Sequence, residues 1–252
     1  MTQHPKTPAL QRTLLGLVAA LALVSAVAPA QADEAAIRKT LLQRLPKFPK
    51  IDEIRKTPVP GLYELRIGTD VIYSDETGQH LIQGQITETK RGQNLTQARI
   101  DKLTAIDVAK LPLKDAIVWK QGTGARKLVV FADPNCGYCK RFERDLQNVK
   151  DVTVYTFLYP ILGGDSPEKS KAIWCAKDNT KAWRDWMIDG TAPTAAPTEG
   201  CDAGALQRNA ALGRKHKING TPALVFVDGK RIPGALSAEQ LEQQFLRSGA
   251  KS

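Results

Sequence analysis

A chain of 252 residues with 42% hydrophobic and 25% charged residues has room for one sizeable domain plus a small one. Its formal net charge of +10 comes from Lys and Arg spread along the chain without an aromatic-interleaved cluster. Nucleic-acid binding is therefore not expected, and the charge suits solubility and weak attraction to acidic partners.

The N-terminus has the form of a secretory leader. Lys6 and Arg12 give a positive start, Leu14 to Val24 is the apolar core, and Ala30-Gln31-Ala32 is a small-x-small cleavage site. Residues 1–32 are predicted to be a signal peptide cut after Ala32. The apolar run is shorter than the roughly 20 residues a spanning helix needs, and no later segment is apolar for that long, so no membrane span is expected once the leader is gone. Its compact form looks bacterial and directs the protein to the periplasm, an oxidising compartment where cysteines occur in disulfides or in enzymes that handle them.

Residues 33–94 form a first unit. Asp33 and Glu34 suit a helix start, and Ile37, Leu41, Leu42 and Leu45 fall on one helical face before Pro46 stops the run. Strands are predicted at Leu62 to Ile67, Val71 to Tyr73 and His80 to Ile86, with Asp75-Glu76-Thr77-Gly78 as a hairpin turn and His80 on the strand surface. Sixty residues bury little core alone, so this unit packs on the rest of the chain or pairs with a second copy through its strand edges.

Residues 95–114 read as a linker helix with an apolar stripe of Ile100, Leu103 and Ile106, ended by Pro112. From Asp115 a second unit begins. It has strands at Ala116 to Trp119 and Lys127 to Ala132, a helix from Lys140 to Val149, and a strand from Val152 to Tyr159. The near-continuous apolar strand is expected to be covered on both faces, and the strand–helix–strand order to make a parallel pair. Helical sequence follows from Ser166, read as a cap with Pro167 at the first position, to Lys215. The strand Ala223 to Val227, a turn at Asp228-Gly229, and a helix from Ser237 to Arg247 with Leu241 and Phe245 on one face close the chain.

The chemistry lies at Cys136-Gly137-Tyr138-Cys139, between the apolar strand and the helix. The first sulfur sits at a helix N-terminus, where unpaired N–H groups and the helix dipole favour the thiolate, the nucleophilic form. The second is one turn on, close enough to attack a mixed disulfide. Zinc would need a further ligand pair, but Cys175 and Cys201 are 26 residues apart with no His or Cys close by, so neither metal nor cofactor is expected. A purely structural disulfide across two residues would be strained. Redox chemistry is the reading preferred over both. Gly137 and Tyr138 are expected to meet the client chain.

Gly220-Thr221-Pro222-Ala223 opens the late strand. An X–Pro bond can be cis at modest cost, and a cis Pro222 facing the two sulfurs would leave the Thr221 backbone free to pair with an extended client. Glu143 reads as a solvated face residue, with proton shuttling the lesser option. His216 reads as a surface residue, and Trp174, Trp183 and Trp186 as core or half-buried surface.

Phe131-Ala132-Asp133-Pro134-Asn135-Cys136-Gly137-Tyr138-Cys139, Gly220-Thr221-Pro222-Ala223, Ile82-Gln83-Gly84 and Ile232-Pro233-Gly234 together make the chain similar to the DsbC/DsbG family of periplasmic disulfide isomerases. Gly137-Tyr138 between the cysteines favours the DsbC branch, because DsbG proteins usually have proline after the first cysteine. The resemblance implies an α/β fold, with a small α+β dimerisation domain at 33–94, a linker helix at 95–114, and a thioredoxin-like catalytic domain with a helical insertion at 115–252. It implies that Cys136 attacks and Cys139 resolves, that Pro222 is the cis proline with Thr221 as its client-binding neighbour, and that Cys175 and Cys201 form a structural disulfide. It further implies a V-shaped homodimer acting on misfolded disulfide-containing clients and kept reduced by a membrane reductase of the DsbD type. Thioredoxins carry a buried Asp six residues before the first cysteine; here that residue is Val130. The expected activity is isomerisation or reduction of wrong disulfides. A thiol oxidase, a chaperone-like holdase and a DsbG-type sulfenate reductase are the alternatives.

Overall fold

The computed structural model describes residues 29–194 and 199–249, so residues 1–28 of the leader expected at 1–32 lie outside the described residues. Helix α1 (Pro29–Arg44) covers an antiparallel four-stranded sheet of β1 (Glu53–Lys56), β2 (Leu62–Ile67), β3 (Asp70–Asp75) and β4 (Leu81–Ile82), in that order. Ile37 and Leu41 pack on Ile51, Ile54, Tyr63 and Leu65. Leu42 and Leu45, expected on the same buried face, are exposed, because this small sheet offers α1 only a narrow apolar strip. β1 escapes a pattern search because Ile54 is its one buried residue. The strand expected over His80 to Ile86 shrinks to the exposed pair Leu81–Ile82. His80 is exposed as predicted, its ring bonded to Asp75.

A short ribbon, β5 (Thr87–Glu88) with β6 (Gln93–Asn94), leads into α2 (Leu95–Thr104), whose first turn is capped by the Asn94 side chain accepting from Gln97 N–H at 2.8 Å. Arg99 ties α2 to the first sheet through Glu64 and Glu53 at 2.9 and 2.6 Å. The helix stops at Thr104, not at Pro112. Ile106 leaves the helical path to bury itself in the second unit, where its N–H donates to Gly229 C=O at 3.0 Å. Gly229 must be glycine there: its φ is +83° and a Cβ would meet the Ile106 carbonyl oxygen at 3.0 Å. Two 3-10 turns, Val108–Lys110 and Leu113–Asp115, complete the crossing.

The second unit is built on a five-stranded sheet ordered β11-β10-β8-β9-β7: β7 (Ile117–Gln121), β8 (Arg126–Ala132), β9 (Val152–Leu158), β10 (Ala223–Phe226) and β11 (Arg231–Pro233). β8 and β9 are parallel, joined through α3 (Gly137–Leu146); the other neighbours are antiparallel. The period-two geometry of a strand sends Leu128, Val130 and Ala132 to one face of the sheet and Val129 and Phe131 to the other. The first face is covered by α3 and α7 (Ala238–Arg247), through Phe142, Leu146, Leu241 and Phe245. The other meets Ile106, Leu111, Tyr159 and Ile218. Each such side chain contributes roughly 1.5–3 kcal/mol on burial.

The helical insertion consists of α4 (Ser166–Trp174), α5 (Asn179–Arg184) running into a π-turn at Asp185–Asp189, and α6 (Gly204–Lys215). Ser166 does not cap α4 with its side chain. Its hydroxyl instead donates to the buried Asp133 carboxylate at 2.7 Å, a bond strengthened by the acceptor's charge. Ser237 caps α7 in a full capping box with Gln240.

Candidate active site

Strand β8 ends at Ala132 and hands the chain to Asp133-Pro134-Asn135, then to Cys136 at the N-cap of α3. Asp133 fixes this loop. Its carboxylate, fully buried, accepts from Asn135 N–H at 2.8 Å, Leu162 N–H at 2.9 Å and the Ser166 hydroxyl. The Asn135 amide donates to Asp165 and Ser166 and accepts from Lys169. Lys169 and Lys140 both stand over the Trp186 ring, at 4.5 and 3.7 Å, while the Trp186 indole N–H donates to Pro134 C=O. This polar scaffold was missed in the sequence; the Asp three residues before the first cysteine was its one available signal.

Cys136 and Cys139 are both reduced and buried, at 5% and 1% exposure. The Cys136 sulfur fills the capping role usually taken by an oxygen, accepting from Cys139 N–H at 3.2 Å. The Cys139 thiol donating to that sulfur brings Cys136 down to about 6 from its ordinary 9.0. The Thr221 hydroxyl and the N–H groups of Cys139 and Tyr138 act in the same direction, against burial. Burial pushes the Cys139 thiol strongly upward, and the neighbouring Cys136 sulfur adds to it. The two cysteines are thus differentiated into one thiolate-forming and one protonated sulfur, a consequence of their positions at and inside the first turn.

β10 pairs antiparallel with β8 with Ala223 opposite Phe131, so Thr221 and Pro222 lie just past the end of β8, where Cys136 emerges. The Thr221–Pro222 peptide bond is cis. The Cys136 thiol donates to the Thr221 carbonyl at 3.2 Å. The Thr221 hydroxyl is buried and has no hydrogen-bond partner among the described residues. Beside this contact Tyr138, Arg141, Thr221, Leu236 and Gln240 line an open groove of about 310 Å³. Gly137 and Tyr138 face outward, Tyr138 at 68% exposure.

Cys175 and Cys201 form a disulfide with Cα atoms 5.4 Å apart, joining the end of α4 to the approach of α6. Trp174 donates to Asp202 C=O beside it, and Asp202 shares Arg208 with the buried Asp115. Trp183 is core and Trp174 and Trp186 are half-buried. His216 lines a separate small cleft with Thr69, Leu103 and Lys217. Among the described residues, no three His, Cys, Asp or Glu side chains converge to hold a metal.

Glu143 is not a solvated face residue. It is 3% exposed, and its carboxylate oxygen accepts from the Trp183 indole N–H at 2.7 Å. Trp183, forty residues away in sequence, closes over the helix face that local pattern assigns to water. Burial raises the Glu143 carboxyl to about 7, against the opposing pull of Trp183 and Arg184.

Comparison with known proteins agrees with this geometry. Residues 113–248 match the thioredoxin-like domain family, and residues 28–97 match the disulfide bond isomerase protein N-terminal domain. Over 222 residues the chain is 43% identical to the probable thiol:disulfide interchange protein DsbC of Bordetella parapertussis, spanning 88% of this chain and 77% of that one. It is 32% identical over 221 residues to the thiol:disulfide interchange protein DsbC of Escherichia coli K12, spanning 85% and 88%. A crystal structure of a disulfide interchange protein from Neisseria gonorrhoeae superposes with a TM-score of 0.52 at 37% identity, over 56% of this chain and 100% of that one.

Proposed function

The chain belongs to the DsbC family of thiol:disulfide interchange proteins, and from this premise we propose that it isomerises or reduces wrong disulfides in secreted clients through Cys136 and Cys139. Membership makes it a thiol:disulfide oxidoreductase with a thioredoxin-like domain. The observation that carries the finer reading is the asymmetric cysteine pair: a sulfur lowered to about 6 at a helix N-terminus, beside an open groove, with a protonated thiol one turn behind it.

In the proposed cycle the Cys136 thiolate attacks a client disulfide and forms a mixed disulfide, releasing a client thiolate. A second client thiol then attacks within the tethered chain and a rearranged pairing leaves. When the client stalls, Cys139 attacks Cys136, the client departs reduced, and the oxidised pair needs an outside reductant, which we assign to a DsbD-type membrane reductase. Thr221 presents its backbone to the client by strand addition. Loss of the Cys136 proton removes the S–H donor on the Thr221 carbonyl and leaves that carbonyl for a client N–H.

Residues 33–94 are proposed as the dimerisation domain, 95–114 as the linker and 115–252 as the catalytic domain. Leu42, Leu45, Val59, Leu81 and Ile82 leave apolar surface exposed on the first unit, in keeping with burial against a second copy. Among the described residues no helix is long and apolar enough to cross a membrane. We assign the protein to the periplasm, with cleavage after Ala32.

The test is recovery of activity from a scrambled multi-disulfide substrate by residues 33–252 and by the Cys136→Ala variant. Recovery that vanishes in the variant supports isomerisation at Cys136. No recovery, with rapid disulfide formation in a reduced substrate, moves the protein to the oxidases. Protection of unfolded chains that survives loss of both cysteines would favour the holdase.

A further inference from the structure

Among the described residues, three buried carboxyl side chains lie in the second unit: Asp115, Asp133 and Glu143. Asp115 is paired with Arg208 through two bonds of 2.7 Å. Asp133 spends both oxygens on Asn135 N–H, Leu162 N–H and the Ser166 hydroxyl. Glu143 is held at Oε1 by Trp183, and its Oε2 takes no hydrogen bond among the described residues. Arg184 is the charged group facing it from α5, and that guanidinium stacks 4.3 Å from the Trp119 ring instead of bonding the carboxyl. Of its basic neighbours on α3, Lys140 is turned onto Trp186.

Glu143 follows Cys139 by four residues on α3. Positions i and i+4 share a helix face with Cβ atoms about 5–6 Å apart, a gap a glutamate side chain can span. Both are buried, on the side of the helix that carries Phe142 and Leu146 into the core. Cys139 needs a proton acceptor at this place. Its thiol is nearly inaccessible to water, yet it must become a thiolate to attack Cys136. Val130, six residues before Cys136, offers no base and is itself fully buried.

We propose that Glu143 accepts the Cys139 proton during resolution of the mixed disulfide, and returns it to Cys139 when the Cys136–Cys139 disulfide is reduced. This rests on the assignment of Cys136 as attacking and Cys139 as resolving cysteine. In resolution the Cys139 S–H proton passes to the Glu143 carboxylate. The Cys139 sulfur bonds to the Cys136 sulfur, and the Cys136–client bond breaks with its electron pair on the client sulfur. Two enzyme thiols are oxidised to one disulfide as the client cystine is reduced, with no outside oxidant. In the reverse direction an incoming thiolate attacks Cys136, and Cys139 leaves with the electron pair and takes the proton from Glu143. With its carboxyl at about 7, Glu143 is populated in both forms near neutral pH, as a two-way proton carrier requires.

The test is stopped-flow reaction of reduced residues 33–252 with dithiobis-nitrobenzoate, which releases one coloured thiolate when Cys136 attacks and a second when Cys139 resolves. In Glu143→Gln, which keeps an acceptor for Trp183, the second phase at pH 7 is expected to slow about 100-fold and to lose its rise with pH, with the first phase unchanged within about twofold. Glu143→Asp is expected to restore part of the rate and its pH step. A second phase in Glu143→Gln equal to the parent's in rate and profile overturns the relay while leaving the cysteine assignment intact. Equal slowing of both phases also overturns it, as a purely structural effect. A first phase that persists in Cys136→Ala brings down the cysteine assignment, and the relay with it.

Discussion

Replacing Glu143 with Gln should stabilise the second unit at alkaline pH and leave it unchanged in acid. In the folded chain the Glu143 carboxyl lies at about 7, against an ordinary 4.5, because burial disfavours its charge. A carboxyl raised in the folded state supports the fold fully below 4.5, and that support is lost as pH rises from 4.5 through 7; above that window the loss is complete and constant. At 1.36 kcal/mol per pH unit the loss amounts to about 3 kcal/mol. Gln has nearly the same shape, keeps an oxygen for Trp183 and never ionises. The two proteins should therefore unfold at the same urea concentration near pH 4 and differ by about 3 kcal/mol at pH 8, with Gln the more stable. Tryptophan fluorescence is the assay: Trp119, Trp174, Trp183 and Trp186 are the chain's four tryptophans and all lie in the second unit. Cys136 titrates in the same window, but in both proteins, so the difference removes it. A difference that is flat from pH 4 to 8 would refute the burial argument for Glu143.

Alkylation of Cys136 by iodoacetamide should rise with pH around a midpoint near 6, and Cys139→Ala, by removing the largest contributor to that lowering, should move the midpoint up toward 9.0; mass spectrometry of the quenched adduct reads both. Replacing Cys175 and Cys201 together by Ala opens a loop of 26 residues and should cost about 3–4 kcal/mol in urea unfolding, with the Cys136 alkylation profile unmoved. In Gly213→Ala the new methyl would meet the Tyr159 ring at 2.5 Å, and crowding of this kind costs about 1–3 kcal/mol, measurable as a lowered thermal midpoint.

What was legible in the sequence is what short-range pattern determines. β8 was readable because a strand covered on both faces is apolar at almost every position, and the cysteine pair because its spacing puts one sulfur at the cap and the other a turn inside. Thr221-Pro222 was readable only in company with that pair. The features that escaped are set by distant partners. Glu143 stands among Arg141, Arg144 and Asp145 and looks solvated, and Trp183 from the insertion is what buries it. α2 ends early because Ile106 and Leu111 gain more by covering the second sheet than by continuing a solvent-facing helix. Ser166 looks like a cap until Asp133, thirty-three residues earlier, claims its hydroxyl. Leu42 and Leu45 carry the right period for burial but have no facing surface within the chain.

The central claim is that Cys136 attacks clients and Cys139 resolves the adduct. It is tested most directly by incubating Cys139→Ala with an oxidised multi-disulfide client and digesting the product under non-reducing conditions. A client peptide linked by a disulfide to Cys136, stable until an added thiol releases it and absent from Cys136→Ala, is the expected result. Failure of Cys139→Ala to hold any client at Cys136, or an adduct of equal yield in Cys136→Ala, would contradict the account.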